Sequence, residues 1–530
     1  MHLSWLLLLA LAAICGIAAL AKRFDLPYPI AFVIGGGLLA FVPNVPQLRI
    51  DPEWIFTLIL PPLLFSGGWA TDWKLFRENL RPIGLLAIGL VIATTFAVAA
   101  ALHALVPTIP WPAAFVLGAI VSPPDAVAAS AVFERFSVPQ RTLAILEGEG
   151  LVNDATALVL LKFAIVATMT GTFSLAGASG AFVFVAVSGV GVGALFAVVF
   201  ITFMKVLRKA ALSDYLVDNI LSLCAPYAVY ILADAIQING IGPSAVLATV
   251  TAGVIASRAS SKIFDPEARL LAGSVWELLI FLLNAFAFLL IGLELRAIVA
   301  NPSFALRELW VGVAISAVVI AVRLLWAYPA AYLPRLIFPS IRRHETLPGW
   351  NYIFVLAWSG MRGVVSLAAA LALPFNFPAR DEILFVTFCV IFATLVGQGL
   401  SLIPLLKLLR ISGDDLEVRE TEVRIAALEA GLKSLRTLEP EFDSTEEWEV
   451  QGRIVGEYQY RIAHLQAHLD DRASEFPRET KNVALDHKLQ EAALSGERQE
   501  VLRLRSAGEI PDEVFRKIEY DLDLAQARLI

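Results

Sequence analysis

Long apolar runs follow one another from residue 3 to residue 407, each separated from the next by a short polar break. A helix needs roughly 20 apolar residues to cross about 30 Å of hydrocarbon, and most of the runs approach that length. They predict an all-α polytopic membrane protein with about thirteen transmembrane helices. The predicted spans cover residues 3–21, 27–43, 53–69, 82–106, 111–133, 145–170, 180–204, 217–237, 241–257, 274–295, 308–332, 350–374 and 383–407.

The pattern changes near residue 411. Apolar residues beyond it recur three and four positions apart with charges between them, for example in 423–432 and 458–465. This spacing is typical of amphipathic helices at the surface of a small soluble domain. We therefore divide the chain into a transmembrane domain, residues 1–410, and a helical tail, residues 411–530, with a regulatory or dimer-stabilising role.

Composition agrees with a membrane protein. Hydrophobic residues make up 58% and charged residues 17% of the chain, and the mean hydropathy is +0.72. A soluble domain has about 45–50% apolar and about 25% charged residues. The net charge of −7 resides mostly in the tail and gives no indication of a nucleic-acid partner.

The basic residues between the predicted spans are distributed unevenly, and their bias predicts the orientation in the membrane. One set of alternating loops contains Lys22, Arg23, Lys74, Arg77, Arg81, Arg135, Arg141, Lys205, Arg208, Lys209, Arg258, Lys262, Arg269, Arg335, Arg342 and Arg343. The other set contains Arg49, Arg296, Arg307 and Arg380. We expect the basic loops and the tail to be cytoplasmic, the N-terminus to be outside, and the protein to reside in the plasma or inner membrane.

The fifth predicted span is interrupted by consecutive prolines. Pro123 and Pro124 lack amide donors and disfavour helix at the preceding residue. A helix broken at this depth must be buried in protein or line a cavity, because its freed carbonyls find no partner in lipid. Asp125 follows the break, at the start of the second half-helix, where the helix dipole favours a carboxylate. Asp125 is therefore either a helix cap or a functional residue, and the two roles are compatible.

The twelfth predicted span has a corresponding feature. Gly360 and Gly363 flank Arg362 within an apolar run and permit an unwound stretch. A buried guanidinium needs a carboxylate partner, and the expected partners are Glu149 and Asp125. The fifth and twelfth spans are each fifth in a set of six. Matching broken helices in two halves predict two inverted six-helix repeats, with a transport site where the breaks cross.

The sixth predicted span carries four polar residues in an otherwise apolar run: Glu147, Glu149, Asn153 and Asp154. A charged side chain in a bilayer costs between about 3 and 15 kcal/mol, so such residues are expected to face a cavity, a partner or an ion path. Glu149 and Asn153 are one helical turn apart and share a face, whereas Asp154 is rotated by about 100° from Asn153. Asp154 is therefore predicted to face a cavity and to hold either a proton or a cation.

Four segments together resemble the sodium/proton exchanger family, and specifically its electroneutral, NhaP-type bacterial cation:proton antiporters. In chain order they are SPPD at 122–125, GEGLVNDA at 148–155, GMRG at 360–363 and VGQGLSLIPL at 396–405. The resemblance covers essentially all of residues 1–410. It implies a thirteen-helix homodimer with a core domain around crossed spans five and twelve, a dimerisation domain and an elevator-like movement of the core.

The resemblance also implies roles for individual residues. Asp154 is the carboxylate that binds the cation and the proton, and Asn153 and Asp125 belong to the same cation- and proton-binding set. Asn153 also marks the one-for-one branch, and Asp125 lies beside Glu149 and Arg362. Glu149 and Arg362 form a structural ion pair. Two positions depart from the family pattern, since Pro124 and Gly150 stand where relatives often have Thr and Ser. Fewer hydroxyl ligands remain for the cation, which leaves open whether Na⁺, K⁺ or Li⁺ is exchanged.

We therefore expect a secondary antiporter that serves pH homeostasis by exchanging Na⁺, or K⁺ or Li⁺, for H⁺, without a cofactor or enzymatic activity. A monovalent cation channel or a uniporter is the alternative, as is a K⁺-selective cation:proton exchanger. A channel would need a pore lined by repeated carbonyls. A carrier of organic anions would be favoured if Arg362 had no partner.

Overall fold

The computed structural model describes most of the chain. The described residues are 3–42, 54–133, 136, 138–172, 174–210, 212–237, 241–296, 306–337, 349–411, 416–437, 445–473, 481–507 and 512–527. Four of the basic residues named above, Arg49, Arg135, Arg342 and Arg343, lie outside these ranges. The chain divides into two compact units, Met1–Asp414 and Asp415–Ile530.

In the first half of the membrane unit, the described residues form a series of helices. They are α1 (Leu3–Arg23), α2 (Tyr28–Ala40), α3 (Ile55–Ala70), the short α4 (Trp73–Glu78), α5 (Leu80–Leu105), the half-helices α6 (Trp111–Val121) and α7 (Ala126–Phe133), and α8 (Gln140–Thr170). α3 and α5 each contain a π-helical segment. The predicted interruption of the fifth span is confirmed, because the helix stops at Val121 and restarts at Ala126 around the two prolines.

The second half repeats this order after a long connecting helix. The helices are α9 (Leu175–Lys209), α10 (Tyr215–Ala235), α11 (Ala245–Ile263), α12 (Pro266–Leu293), α13 (Leu306–Ile337), the half-helices α14 (Trp350–Trp358) and α15 (Val364–Leu371), and α16 (Arg380–Leu408). The interruption predicted in the twelfth span is also confirmed, between Trp358 and Val364.

Eight membrane-unit helices among the described residues are long and apolar enough to span a bilayer, and α2 and α3 are shorter apolar helices. The all-α polytopic fold is therefore confirmed, while the count of thirteen spans stays a prediction. Several helices begin or end outside the predicted apolar windows, as α9 does at Lys209. The reason is that a helix continues past the hydrocarbon, and basic residues at its carboxyl end are stabilised by the helix dipole.

Inside the membrane unit the helices form two bundles. In the scaffold bundle, α2 packs on α12, and α11 packs on α3, α9 and α10. In the core bundle, α6 packs on α5 and α8, and α13 packs on α5 and α16. The half-helices α7 and α15 belong to the core bundle and reach its boundary with the scaffold, where α7 contacts α2 and α15 contacts α12.

The second unit is helical, as the amphipathic pattern predicts. It contains α17 (Leu416–Thr437), α18 (Thr445–Ala473), α19 (Lys481–Ser506) and α20 (Asp512–Ala527). α17 packs on α18, and α19 packs on α20. Gly431 allows the Tyr458 ring to approach α17, since a Cβ at Gly431 would lie 2.8 Å from that ring.

Candidate ion-binding site

The two broken helices cross at their non-helical segments. The backbone N–H of Asp125, in the first break, donates to the carbonyl of Met361, in the second break, at 2.6 Å. The crossing brings together residues more than two hundred positions apart in the chain and places four half-helix ends at one point. Two of these are carboxyl ends, of α6 and α14, and two are amino ends, of α7 and α15.

The Asp125 carboxylate caps the amino ends of both α7 and α15. Its Oδ1 accepts a hydrogen bond from the backbone N–H of Val127 at 2.9 Å, and the carboxylate also accepts from the N–H groups of Ala128 and Val364. Unpaired N–H groups and a partial positive charge at a helix amino end favour such a carboxylate. The expected capping role is therefore observed, and it extends from α7 to α15.

Glycine is required next to this carboxylate. A Cβ at Gly363 would overlap the Asp125 carboxylate, and a Cβ at Gly360 would overlap the Arg323 side chain. Neither glycine has a positive φ, so both are needed for close approach rather than for backbone freedom.

Asn153 and Arg362 satisfy the carbonyls that the first break frees. Asn153 Nδ2 donates to the Pro124 carbonyl at 2.8 Å. Arg362 Nε donates to the Val121 carbonyl at 3.0 Å, Nη2 donates to the Ser122 carbonyl at 3.4 Å, and Nη1 donates to the Gly360 carbonyl of its own break. These bonds cap the carboxyl end of α6, where a cation is favoured.

The predicted ion pair between Glu149 and Arg362 is wrong. Glu149 pairs instead with Arg323 of α13, with Oε1 at 2.5 Å from Nη1 and Oε2 at 2.8 Å from Nη2. Both side chains are buried, with 0% and 1% of their surface exposed. The N–H groups of Arg362 donate to backbone carbonyls. The carboxylate of Glu149 is therefore paired with the other buried guanidinium, that of Arg323.

Arg323 also caps the second broken helix. Its Nε donates to the Ala357 carbonyl at 3.1 Å and its Nη2 to the Leu356 carbonyl at 3.3 Å, at the carboxyl end of α14. Arg323 therefore caps the carboxyl end of α14, as Arg362 caps the carboxyl end of α6. Its position in the middle of a long apolar run was the signal in the sequence that could have marked it, because a buried arginine must find a charged partner.

Asp154 differs from the other buried charges. It lies on α8 with 9% of its surface exposed. Within the described ranges its carboxylate makes no hydrogen bond or ion pair, and Asp125 is the neighbouring charge that acts on it. Asp154 also lines a cavity, as the rotation from Asn153 predicts.

The cavity, of about 1240 Å³, lies between the two bundles. Residues of α7, α8 and α15 line it on the core side, and residues of α2, α3, α10, α11 and α12 on the scaffold side. Four acidic side chains reach it, Asp125, Glu147, Asp154 and Glu277, against one basic side chain, Arg269. A cavity with this balance favours cations.

The cavity extends toward the basic loops. Its lining includes Trp69 and Ala70 at the end of α3, Ser260 near the end of α11, and Arg269 in the first turn of α12. Each of these helix ends adjoins a loop of the basic set.

The two departures from the family pattern also have a structural context. A Cβ at Gly150 would lie 2.7 Å from the Cβ of Ala126, so α7 occupies the space that a larger side chain would need. Pro124 lines the cavity, but Asn153 binds its carbonyl oxygen. Neither position supplies a side-chain oxygen.

Two broken helices that cross beside buried carboxylates, at a cavity between two helix bundles, define the class of membrane transporters with discontinuous helices. The profile of the family described as "Sodium/hydrogen exchanger, transmembrane" matches residues 9–408. The chain belongs to the sodium/hydrogen exchanger family.

Known relatives match over most of the chain. It is 30% identical to an uncharacterized Na⁺/H⁺ exchanger, YjcE, of Escherichia coli, over 99% of this chain and 98% of that protein. It is 32% identical to a sodium, potassium, lithium and rubidium/H⁺ antiporter of Bacillus pumilus, over 87% of this chain and 70% of that protein.

A solved structure shares the fold. The sodium proton antiporter MjNhaP1 from Methanocaldococcus jannaschii, at pH 8, superposes with a TM-score of 0.57 and 18% identity. The match covers 76% of this chain and 97% of that one.

Proposed function

We propose that this protein is a secondary antiporter that exchanges one monovalent cation for one proton, with Asp154 as the group that binds either ion. The observation that carries the proposal concerns the described residues. Among them the Asp154 carboxylate, beside a cavity, has no hydrogen-bond or ion-pair partner, while every other buried charge at the crossing has one.

Charge balance supports one-for-one exchange. At the crossing, the guanidinium groups of Arg323 and Arg362 offset the carboxylates of Glu149 and Asp125. Asp154 then adds one uncompensated negative charge, and an uncompensated buried charge is costly. A proton or a monovalent cation neutralises it equally. The core bundle with its bound ion would therefore move without net charge in either direction.

The position of the cavity supports alternating access. It lies between the core and scaffold bundles and extends toward the basic loops, which we assign to the cytoplasm. In this arrangement Asp154 would be accessible to ions from the cytoplasmic side through the cavity. Movement of the core bundle along the scaffold would close this cavity and open one on the other side, as an elevator mechanism requires.

We assign Na⁺ as the cation, with K⁺ and Li⁺ as alternatives, because the relatives are named as a Na⁺/H⁺ exchanger and as a sodium, potassium, lithium and rubidium/H⁺ antiporter. The protein would act as a homodimer in the plasma or inner membrane, with its N-terminus outside, its tail in the cytoplasm and a role in pH homeostasis. Residues 411–530 would regulate transport or stabilise the dimer.

Replacement of Asp154 by Asn tests the assignment. The amide cannot exchange a proton for a cation, so D154N should abolish cation-dependent proton movement while leaving the amount of folded protein unchanged. The measurement is dequenching of a pH-sensitive dye in proteoliposomes titrated with Na⁺, K⁺ and Li⁺.

The matched control is D381N, because the Asp381 side chain is 68% exposed at the start of α16. D381N should exchange ions as the unmodified protein does. Retained exchange in D154N would rule out Asp154 as the exchange site.

A further inference from the structure

Six serine side chains line the cavity: Ser66, Ser130, Ser222, Ser260, Ser274 and Ser366. The hydroxyl of Ser66 donates to the Leu63 carbonyl, and that of Ser222 donates to the Asn219 carbonyl. Ser366 is different, because it is 1% exposed and its Oγ has no hydrogen-bond partner among the described residues. A buried hydroxyl without a partner is unusual in a folded protein and indicates that something else binds it.

The broken helix explains why this hydroxyl is unpaired. A buried serine in a continuous helix can donate to the carbonyl one turn earlier, as Ser316 does to Gly312 at 2.7 Å. Ser366 lies in the first turn of α15, so the residues one turn earlier are Arg362 and Gly363, within the non-helical break. The local backbone therefore leaves the hydroxyl without the acceptor that Ser316 has, at a residue that lines the cavity.

The surroundings of Ser366 place it close to the exchange site. Val364, two residues earlier, donates its N–H to the Asp125 carboxylate. Val365 packs against the apolar cluster that contains Leu151 and Ala155, which lie three residues before and one residue after Asp154 on α8. Ser366, Asp125 and Asp154 all line the same cavity.

We propose that the hydroxyl oxygen of Ser366 is a direct ligand of the transported cation and sets its preference among alkali ions. This inference rests on the proposed function and supplies the side-chain oxygen that Pro124 and Gly150 lack. The ligand class is a partly dehydrated monovalent cation, for which neutral and anionic oxygens are the suitable donors. A smaller ion approaches the oxygen more closely and gains more from it, since electrostatic attraction rises as distance falls. Ser366 therefore favours Li⁺ and Na⁺ over K⁺.

The experiment compares S366A, S366T and the control S316A in proteoliposomes of the full chain. The apparent KM and the maximal rate are measured for Li⁺, Na⁺ and K⁺ by dye dequenching. Loss of one ligand to a charged group corresponds to a change in affinity of about tenfold. S366A should raise the KM for Na⁺ by this factor and the KM for Li⁺ by at least as much. The KM for K⁺ should change less, and the maximal rate should stay within about twofold of its original value.

S366T, which keeps the hydroxyl, should retain the original KM values. S316A removes a buried hydroxyl that is already bonded within α13 and should leave all three KM values unchanged. If S366A cannot be recovered folded, S366C carries the same expectation, because it preserves the volume and replaces a hard oxygen with a softer sulfur.

Unchanged KM values in S366A, or a fall in maximal rate alone that S316A reproduces, would overturn the role of Ser366. The failure of the proposed function is a separate result. It would appear as an absence of cation-dependent proton movement in the unmodified protein, or as full activity in D154N.

Discussion

At the scale of single residues, the buried charges sort by their partners. Arg323 and Arg362 each cap the carboxyl end of a half-helix, but Arg323 alone also holds a carboxylate, Glu149. Asp125 caps two amino ends. Only Asp154 makes no hydrogen bond or ion pair to the described part of the chain, and this isolation is what makes it the candidate for ion exchange.

The pairing of Glu149 with Arg323 predicts a specific pattern of rescue. R323M leaves the buried Glu149 carboxylate without a partner, which should cost about 3–5 kcal/mol of stability. E149Q in the same chain should restore part of that loss, because it removes the stranded charge. E149Q should not rescue R362M, which strands backbone carbonyls. The measurement is the melting temperature in detergent, followed by fluorescence-detected size exclusion.

R380M is the matched control for this series. Arg380 also donates to two backbone carbonyls, those of Leu371 and Leu373, but it has no buried carboxylate partner among the described residues. R380M should therefore lose less stability than R323M. Rescue of R362M rather than R323M by E149Q would contradict the observed pairing.

At the scale of elements, the crossing of the half-helices depends on how closely α7 and α15 approach. The Asp125 carboxylate lies against Gly363, and the backbone N–H of Asp125 donates a hydrogen bond to the carbonyl of Met361 at 2.6 Å. The two breaks therefore form one interlocked unit. The glycines and prolines act there through geometry, by removing side-chain volume and amide donors.

G363A tests this dependence on close approach. The added methyl group would overlap the Asp125 carboxylate, so the half-helices must separate, and both thermal stability and ion exchange should fall sharply. G191A is the control, because nothing lies within 4 Å of a Cβ at that position in α9. Alanine there should be neutral or stabilise the helix by about 0.5–1 kcal/mol. Equal behaviour of the two variants would show that the crossing tolerates expansion.

At the scale of the membrane unit, a core bundle with balanced charges borders an acidic cavity next to a scaffold bundle. In the proposed mechanism, this arrangement separates the core bundle, which would bind the ion, from the scaffold bundle, along which the core would move. It also concentrates cations at the cavity, because acidic side chains outnumber the single basic one along the lining.

The charge balance predicts electroneutral transport. Under a Na⁺ gradient, the protein in a planar lipid membrane should produce no current above that of the lipid alone, since one positive charge crosses in each direction. In proteoliposomes, the rate of dye dequenching should not respond to a membrane potential imposed with valinomycin and K⁺. A steady Na⁺-dependent current would contradict one-for-one exchange.

The sequence by itself determined the helical membrane fold and the two broken spans, and it predicted Asp154 as the carboxylate for ion exchange, which stays a proposal. These features depend on local properties: hydropathy over about 20 residues, missing amide donors at Pro123 and Pro124, and the helical rotation between Asn153 and Asp154. Each of them can be read from neighbours in the chain.

Only the tertiary structure decided which arginine pairs with Glu149 and that the Ser366 hydroxyl has no partner among the described residues. Arg323 and Arg362 are both buried arginines in apolar runs, and the sequence offers no local rule for choosing between them. The choice depends on which helix ends meet across the core, over 174 residues for Glu149 and Arg323. The helix break removes the local acceptor of the Ser366 hydroxyl, but only the packing around the cavity decides that no other described residue binds it.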